Sequence, residues 1–148
     1  MDSILNNLGC NDSMTVVVVD QRPEDYADLV SDARGAGIGV QFVSSGNKAL
    51  RLARTHPVDL WVVNNHLLDM SGLDVCALLK IRLAQPVIYM VVDEYNQAIE
   101  REARIRGAAL FGCKPIQTEL ISQLTVQNRK PVNGRRKFCP QAMARPPT

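Results

Sequence analysis

Three strand ends in this sequence carry side chains that could do chemistry together. Asp20 follows the first apolar, β-branched run of the chain, Asn64 follows the run Leu60–Val63, and Lys114 follows the last such run. In an open α/β sheet, ligands and reactive groups collect at the carboxyl ends of the strands. Two interpretations stay open: a functional site, or a structural set in which Asp20 bonds Lys114 and Asn64 turns a loop.

Five apolar runs have the length and β-branched composition of strands buried on both faces. They are Met14–Val19, Val40–Val43, Leu60–Val63, Val87–Val92 and Ala108–Cys113.

Helical patterns alternate with these strands, and their ends carry start and stop signals. The first opens at Pro23 and ends at Gly35 to Gly37, the second follows Ser45-Gly46 and stops at His56-Pro57, the third spans about Leu73–Leu83, the fourth is capped by Asp93 and closed by Gly107, and the fifth spans Ile116 to about Gln127. On the fourth, Glu100/Arg104 and Glu102/Arg106 are spaced for i, i+4 ion pairs.

Strands that alternate with helices predict right-handed crossovers and a parallel sheet covered on both faces. The fold class is therefore α/β, a single doubly wound five-stranded parallel sheet. The flavodoxin-like strand order 2-1-3-4-5 is the leading choice. This order makes Asp20 and Asn64 neighbours at the carboxyl edge of the sheet.

Composition excludes several classes of protein. With 148 residues, 46% hydrophobic and 22% charged, the chain has the profile of a globular domain. No apolar run approaches the ~20 residues of a membrane span. Four cysteines without metal-ligand spacing argue against zinc and against a disulfide scaffold. We therefore expect a reducing, cytoplasmic location.

The charge of the chain is divided unevenly. Six of the 17 basic residues and none of the 15 acidic ones lie in residues 128–148, which leaves 11 basic and 15 acidic residues in residues 1–127. We predict an N-terminal extension over residues 1–13, a domain over 14–127 and a disordered basic tail over 128–148. The alternative for the tail is nonspecific contact with nucleic acid.

The segment Asp59–Gly72 resembles the phosphoacceptor segment of response-regulator receiver domains, and the resemblance covers about Met14–Gln127. In that family, the residue matching Asn64 is an aspartate that takes a phosphoryl group from a histidine kinase. The acidic pair corresponds to Asp20-Gln21, and the lysine-proline pair is retained as Lys114-Pro115.

Two switch positions of the family also have counterparts here. The threonine or serine after strand four corresponds to Val91, and the aromatic switch residue corresponds to Phe111. Valine lacks the hydroxyl that would bond a phosphoryl oxygen. Phe111 has an alternative interpretation as a buried strand aromatic that does not switch.

The changed positions predict lost phosphochemistry. An acyl phosphate requires a carboxylate nucleophile, and the amide of Asn64 has no such reactivity. The resemblance implies a working site of three carboxylates and one lysine, whereas only Asp20 and Lys114 are counted here, which makes the pocket formally neutral. Because Mg²⁺ needs carboxylate oxygens to offset its charge, we expect weak or absent Mg²⁺ binding and no other cofactor or metal.

We therefore predict a receiver-like signalling module of a two-component phosphorelay, a pseudo-receiver that is not an enzyme and acts through a protein partner independently of phosphorylation. Two alternatives stay open. One is phosphorylation on another carboxylate, Asp69 or Asp20, and the other is a nucleic-acid adaptor using the tail.

The partner surface can be placed by the same resemblance. Receivers commonly use the face of the fourth helix, fifth strand and fifth helix for dimers and targets. This face carries Glu100, Arg101, Arg104 and Glu119, a mixed-charge set that could pair across a two-fold axis in a homodimer. Local ion pairs on a solvated helix face are the alternative.

Overall fold

A computed structural model describes residues 14–116 together with Thr118, Glu119 and Ile121. The chain divides into two units, Met1–Ile116 and Gln117–Thr148. In the second unit, Thr118, Glu119 and Ile121 are helical. The predicted extension and tail, and most of the predicted fifth helix, lie outside the described residues.

The first unit contains five strands joined by helical connections. The strands are β1 (Thr15–Val19), β2 (Gly39–Val43), β3 (Leu60–Asn64), β4 (Ile88–Val92) and β5 (Leu110–Cys113). The helices are α1 (Ala27–Ala36, preceded by a 3-10 turn at Pro23–Tyr26), α2 (Gly46–Thr55), α3 (Gly72–Arg82) and α4 (Gln97–Ile105).

All strand pairs are parallel, and the order is β2-β1-β3-β4-β5. The predicted fold class and strand order are confirmed. The register aligns Val19 with Val63, Asn64 with Val91, and Val92 with Cys113. The residues that follow these positions therefore meet at one edge of the sheet.

The apolar runs of the sequence form the core of the structure. β1, β3 and β4 are buried along almost their whole length. One side of the sheet packs against small and aliphatic residues of α2, α3 and α4, and Trp61 lies within this cluster with no solvent exposure. Burying a valine, leucine or isoleucine side chain in this core stabilises the fold by about 1.5–3 kcal/mol. No helix among the described residues is both long and apolar enough to cross a bilayer.

Most helix ends follow the sequence signals. Gly37 ends α1 in the left-handed conformation with φ 74°, and the Ser45 side chain caps α2 by accepting a hydrogen bond from the Lys48 N–H. The predicted cap of the fourth helix is wrong. Asn96, and not Asp93, caps α4 by accepting from the Ile99 N–H. The carboxylate of Asp93 pairs with Lys114 instead.

Candidate functional site

The carboxyl edge of the sheet brings Asp20, Asn64 and Lys114 together, as the strand order predicts. Asp20 and Asn64 are 3% and 2% exposed. The Lys114 ammonium lies 2.8 Å from Asp20 Oδ2, and Asn64 Nδ2 donates to the same oxygen over 2.9 Å. Deeply buried charges are costly unless they are paired. These contacts supply that pairing.

Tyr26 completes the environment of Asp20. Its hydroxyl donates to Asp20 Oδ2 over 2.7 Å, and the backbone N–H of Arg22 donates to Oδ1 over 3.0 Å. The Tyr26 ring also lies 5.4 Å below the Lys114 ammonium, a cation–π distance. The apolar spacing of the sequence accounts for the burial of Tyr26 but gives no signal for this hydroxyl contact.

Lys114 has two further carboxylate partners that the sequence did not identify. Asp25 Oδ2 lies 2.8 Å from the ammonium, and Asp93 Oδ1 lies 3.3 Å from it. We name the set Asp20, Asp25, Tyr26, Asn64, Asp93 and Lys114 the Lys114 cluster. The predicted formal neutrality is wrong, because three carboxylates and one ammonium carry a formal charge of −2. The signal was available: Asp93 directly follows β4, and Asp25 lies in the segment after β1.

The pKa values of the cluster follow from these contacts. Burial disfavours the charged form of Asp20, but hydrogen bonds from Lys114, Tyr26 and Asn64 outweigh it, so its pKa is lowered. Burial also opposes the charge of Lys114, but Asp20 and Asp25 raise its pKa. Burial and the Asp20 carboxylate raise the pKa of Tyr26, which keeps its hydroxyl protonated as a donor. At neutral pH the Asp20 carboxyl is thus ionised and the Lys114 amine is protonated.

The amide of Asn64 uses both its donor and its acceptor. Nδ2 donates to Asp20, while Oδ1 accepts the backbone N–H of His66 over 2.6 Å. Gly72 allows the loop after β3 to pack closely, since a Cβ there would collide with the Asn64 carbonyl oxygen. The side chain of the next residue, Asn65, contacts the start of α3, where its Oδ1 accepts from the Leu73 N–H over 3.3 Å.

Asp69, the alternative phosphoacceptor, lies at the start of α2. Its Oδ1 accepts the Gly46 N–H over 3.0 Å, and its Oδ2 accepts the Asn47 N–H over 2.8 Å. Burial opposes ionisation of Asp69, but these backbone hydrogen bonds lower its pKa. A carboxylate at a helix N-terminus is stabilised by the unpaired N–H groups there. Asp69 therefore caps α2 with both oxygens.

The other positions named from the family resemblance are Gln21, Val91 and Phe111. Gln21 is exposed, and Val91 is fully buried opposite Asn64 in the β3–β4 register. Phe111 is half-buried and meets the Tyr95 ring edge-on, with 6.0 Å between centroids. Among the residues that the structure describes, no three carboxylate, histidine or cysteine side chains are arranged to hold a metal ion.

The predicted interaction face is described only in part. Glu100 and Arg104 form an ion pair on α4 with 3.3 Å between charged atoms, and Arg101 is exposed beside them. Glu119 belongs to the second unit of the chain. The i, i+4 pairs predicted on this helix are confirmed, since Glu102 and Arg106 also pair at 2.9 Å. The face as a binding surface stays a prediction.

Comparisons with known proteins agree with the fold. Residues 16–125 match the family described as the response regulator receiver domain. The transcriptional regulatory protein KdpE of Mycobacterium tuberculosis is 37% identical over 116 residues, which is 78% of this chain and 51% of that protein. The chain thus spans about half the length of this curated relative.

Two solved structures illustrate the likeness in fold. A CheY-like receiver domain protein from Methanospirillum hungatei has a TM-score of 0.69 and 15% identity, covering 79% of this chain and 98% of its own. A response regulator from Burkholderia pseudomallei, solved with a phosphorylated aspartic acid and a calcium ion, has a TM-score of 0.68 and 23% identity, covering 78% and 68%. Together with the match over residues 16–125, the geometry leads to one conclusion: this chain belongs to the response regulator receiver domain family.

Proposed function

We propose that this receiver domain works in two-component signalling as a pseudo-receiver, which binds a protein partner without taking up a phosphoryl group. One observation carries the proposal: the side chain at the phosphoacceptor position is the Asn64 amide, buried and hydrogen-bonded to Asp20 and to the His66 N–H. An amide nitrogen is not basic and forms no acyl phosphate. The domain is thus a binding module and not an enzyme.

The Lys114 cluster supports the proposal from a second direction. In this arrangement, the ammonium that would meet an incoming phosphoryl group is engaged by the carboxylates of Asp20, Asp25 and Asp93. A phosphoryl group would have to displace at least one of these partners. Val91 offers no hydroxyl to bond it in return.

The same arrangement argues against Mg²⁺ as a cofactor. Hard cations need several oxygen ligands that converge on one point. Here the carboxylates converge on an ammonium, and Asn64 presents its NH₂ group to Asp20. Net charge does not support the argument, because the cluster is formally negative. The positions of the oxygen atoms argue against Mg²⁺, because the three carboxylates surround Lys114 and the Asn64 NH₂ group faces Asp20. These groups do not fit the ion.

The alternative of phosphorylation at Asp69 has a structural cost. Its carboxylate would leave two backbone N–H donors at the start of α2. Losing a cap of this kind costs about 0.5–2 kcal/mol, in addition to the movement of the loop. Asp20 is bonded to Lys114, Tyr26 and Asn64 and would have to give up buried partners.

The experiment is intact-mass measurement of the full chain after incubation with acetyl phosphate and Mg²⁺, beside a phosphorylation-competent receiver treated identically. We expect no added phosphoryl group on this chain. We also expect millimolar Mg²⁺ to leave the melting temperature unchanged, whereas a ligand at 100 times its dissociation constant stabilises by ~2.7 kcal/mol. A phosphoryl adduct that disappears in Asp69→Asn or Asp20→Asn would establish the alternative.

The partner of the proposed module is a protein, and a second copy of this chain is one candidate through the face that contains Glu100, Arg101 and Arg104. KdpE is named as a transcriptional regulator, and a role in transcription would come to this chain through such a partner. The basic tail of residues 128–148 is a lesser candidate for nonspecific contact with nucleic acid. Charge reversal at Arg101 and Arg104 tests this face.

A further inference from the structure

The outer face of α2 is a strongly basic surface with no acidic residue of its own. Lys48, Arg51 and Arg54 are exposed on this helix, and Gly46–Thr55 contains no aspartate or glutamate. Within the described part of the chain, none of the three cations has an ion-pair partner. By contrast, Arg104 and Arg106 on the far side of α3 are paired with glutamates. The cations of the α2 surface are therefore available to pair with a negatively charged partner.

A groove runs beside these cations. Between β2 and α2 lies an open pocket of about 320 Å³, lined by Val43, Lys48, Arg51, Leu52 and Thr55. The four α2 residues are spaced i, i+3, i+4 and i+7 and so share one face of the helix. Val43 and Leu52 are partly buried against the core and form an apolar floor. An apolar floor with a cationic rim suits an acidic segment that carries aliphatic anchors.

The N-terminal segment of this chain has that complementary composition. Residues 1–13, which lie outside the described part, contain Asp2 and Asp12 and no lysine or arginine. They also contain Ile4, Leu5 and Leu8, which recur at short helical spacing. A nucleic acid would use the cations but not the apolar floor. The composition thus favours this segment as the occupant.

The position of Met14 makes the segment long enough to reach the groove. The backbone of Thr15 exchanges hydrogen bonds with Asp59 over 2.8 and 2.9 Å, and Asp59 follows the end of α2 by four residues. Four residues span at most about 14 Å. α2 has 10 residues and is therefore about 15 Å long. Thirteen residues reach about 20 Å as a helix or about 45 Å when extended, so the segment is long enough to lie along α2.

We propose that residues 1–13 dock in cis on the α2–β2 groove, with aliphatic side chains over Val43 and Leu52 and carboxylates beside Lys48 and Arg51. Because the segment is tethered, its effective concentration is on the order of millimolar, and a weak contact is enough. Docking in cis masks the basic face of α2. A partner with an acidic segment would have to displace it. This inference does not depend on whether the domain takes up phosphate.

The test uses the full chain with a nitroxide label on Cys10, the thiol inside the segment. Cys113→Ser and Cys139→Ser leave buried Cys76 as the only other thiol. We expect amide signals of Lys48 to Thr55 to be attenuated several-fold more than those of Gln97 to Ile105. Arg51→Glu should remove the difference. Arg82→Glu, an equal charge change on the exposed end of α3, should leave it intact.

A charge swap separates docking from a general loss of structure. Asp2→Lys with Asp12→Lys should abolish the attenuation, and adding Lys48→Glu with Arg51→Glu should restore it. Contact between copies is measured in a mixture of two samples. One carries the nitroxide but no ¹⁵N, and the other carries ¹⁵N but no nitroxide. Attenuation of Lys48 to Thr55 in that mixture would assign the groove to a second copy and overturn docking in cis. Equal attenuation of both helices, or none, would overturn it as well.

Discussion

Two groups of opposite charges lie on this domain, and they differ in burial more than in chemistry. In the Lys114 cluster, one lysine meets three aspartates where the side chains of Lys114 and Asp20 are 10% and 3% exposed. On α4, Glu100 meets Arg104 at 3.3 Å with side chains 31% and 49% exposed. The distances are similar, but only the Lys114–Asp20 pair is removed from water, since the side chains of Asp25 and Asp93 are 30% and 57% exposed. Removing one partner therefore has different consequences in the two places.

The difference explains what each group can contribute. A buried ion pair has lost the hydration of both groups, so deleting one partner leaves an uncompensated charge in the interior. An exposed pair gives up little hydration, is screened by salt, and contributes little to stability. The cluster thus holds the carboxyl edge of the sheet in one arrangement. The α4 pair contributes far less to holding the fold.

Lys114→Met should produce the largest effect. It leaves Asp20 buried, with the hydroxyl of Tyr26 and the amide of Asn64 as its remaining side-chain donors within the described part of the chain. Breaking a buried pair in this way costs about 3–5 kcal/mol of unfolding free energy. Urea denaturation at neutral pH measures it, with Lys80→Met on the exposed side of α3 as the matched control. A loss equal to that of the control would show that the cluster is as well solvated as the surface.

Asn64→Asp should have the next largest effect, and it should destabilise. The new carboxylate would face Asp20 Oδ2, where Nδ2 now donates over 2.9 Å, so a hydrogen bond is replaced by repulsion. We expect a loss of about 1–3 kcal/mol, the range for an unsatisfied buried polar group. We expect no efficient phosphorylation, because Gln21 and Val91 remain unchanged.

Asn65→Asp is the matched control for this substitution. Among the described residues, the Asn65 side chain is bonded through its oxygen alone, which accepts from the Leu73 N–H at the start of α3. A carboxylate keeps that role, and the helix N-terminus favours its charge. Urea denaturation of both variants should show a loss for position 64 alone. Equal losses, or rapid phosphorylation of the Asn64→Asp variant, would contradict this account of the site.

The pH dependence of stability should show the cluster in the wild type. Because the pKa of Asp20 is lowered in the folded state, its contribution is fully present above its unfolded pKa of about 3.9 and is lost as pH falls through the folded value. The raised pKa of Lys114 places its loss on the alkaline side, above about pH 10.4. Denaturation midpoints should therefore be level between these limits and fall in acid. Asp20→Asn should flatten the acid limb, and an unchanged limb would assign acid sensitivity to other carboxylates.

The sequence predicted the fold well because local and global signals agree in it. β-Branched runs, helix-terminating glycines and the cap at Ser45 all favour the elements that form. The meeting of Asp20, Asn64 and Lys114 followed from strand order alone. Asp93 directly follows β4 and could have been assigned in the same way, whereas Asp25 lies further along the connection after β1, where packing decides which side chains reach the edge.

Competition between partners accounts for the errors. Aspartate is a common N-cap residue, but the carboxylate of Asp93 pairs with the Lys114 ammonium, and Asn96 is the N-cap of α4. The carboxylate of Asp69, the alternative phosphoacceptor, likewise caps α2 from a loop distant in sequence. Long-range contacts of this kind leave no periodic trace in a sequence. Polar residues in loops are therefore where the sequence alone was least informative.

Charge reversal on α4 should have the smallest effect on stability and should act on association instead. Arg101 and Arg104 are exposed, and Arg104 already has a local partner in Glu100. Rim charges tune the rate and specificity of association more than affinity, so a dimer through this face should weaken as salt rises. Sedimentation at low and high salt should show wild-type self-association that Arg101→Glu with Arg104→Glu removes. Lys80→Glu with Arg82→Glu is the control on α3. A wild type that stays monomeric at high concentration and low salt would leave α4 without a role in self-association, and its Glu100–Arg104 pair would then be a local contact of a solvated helix.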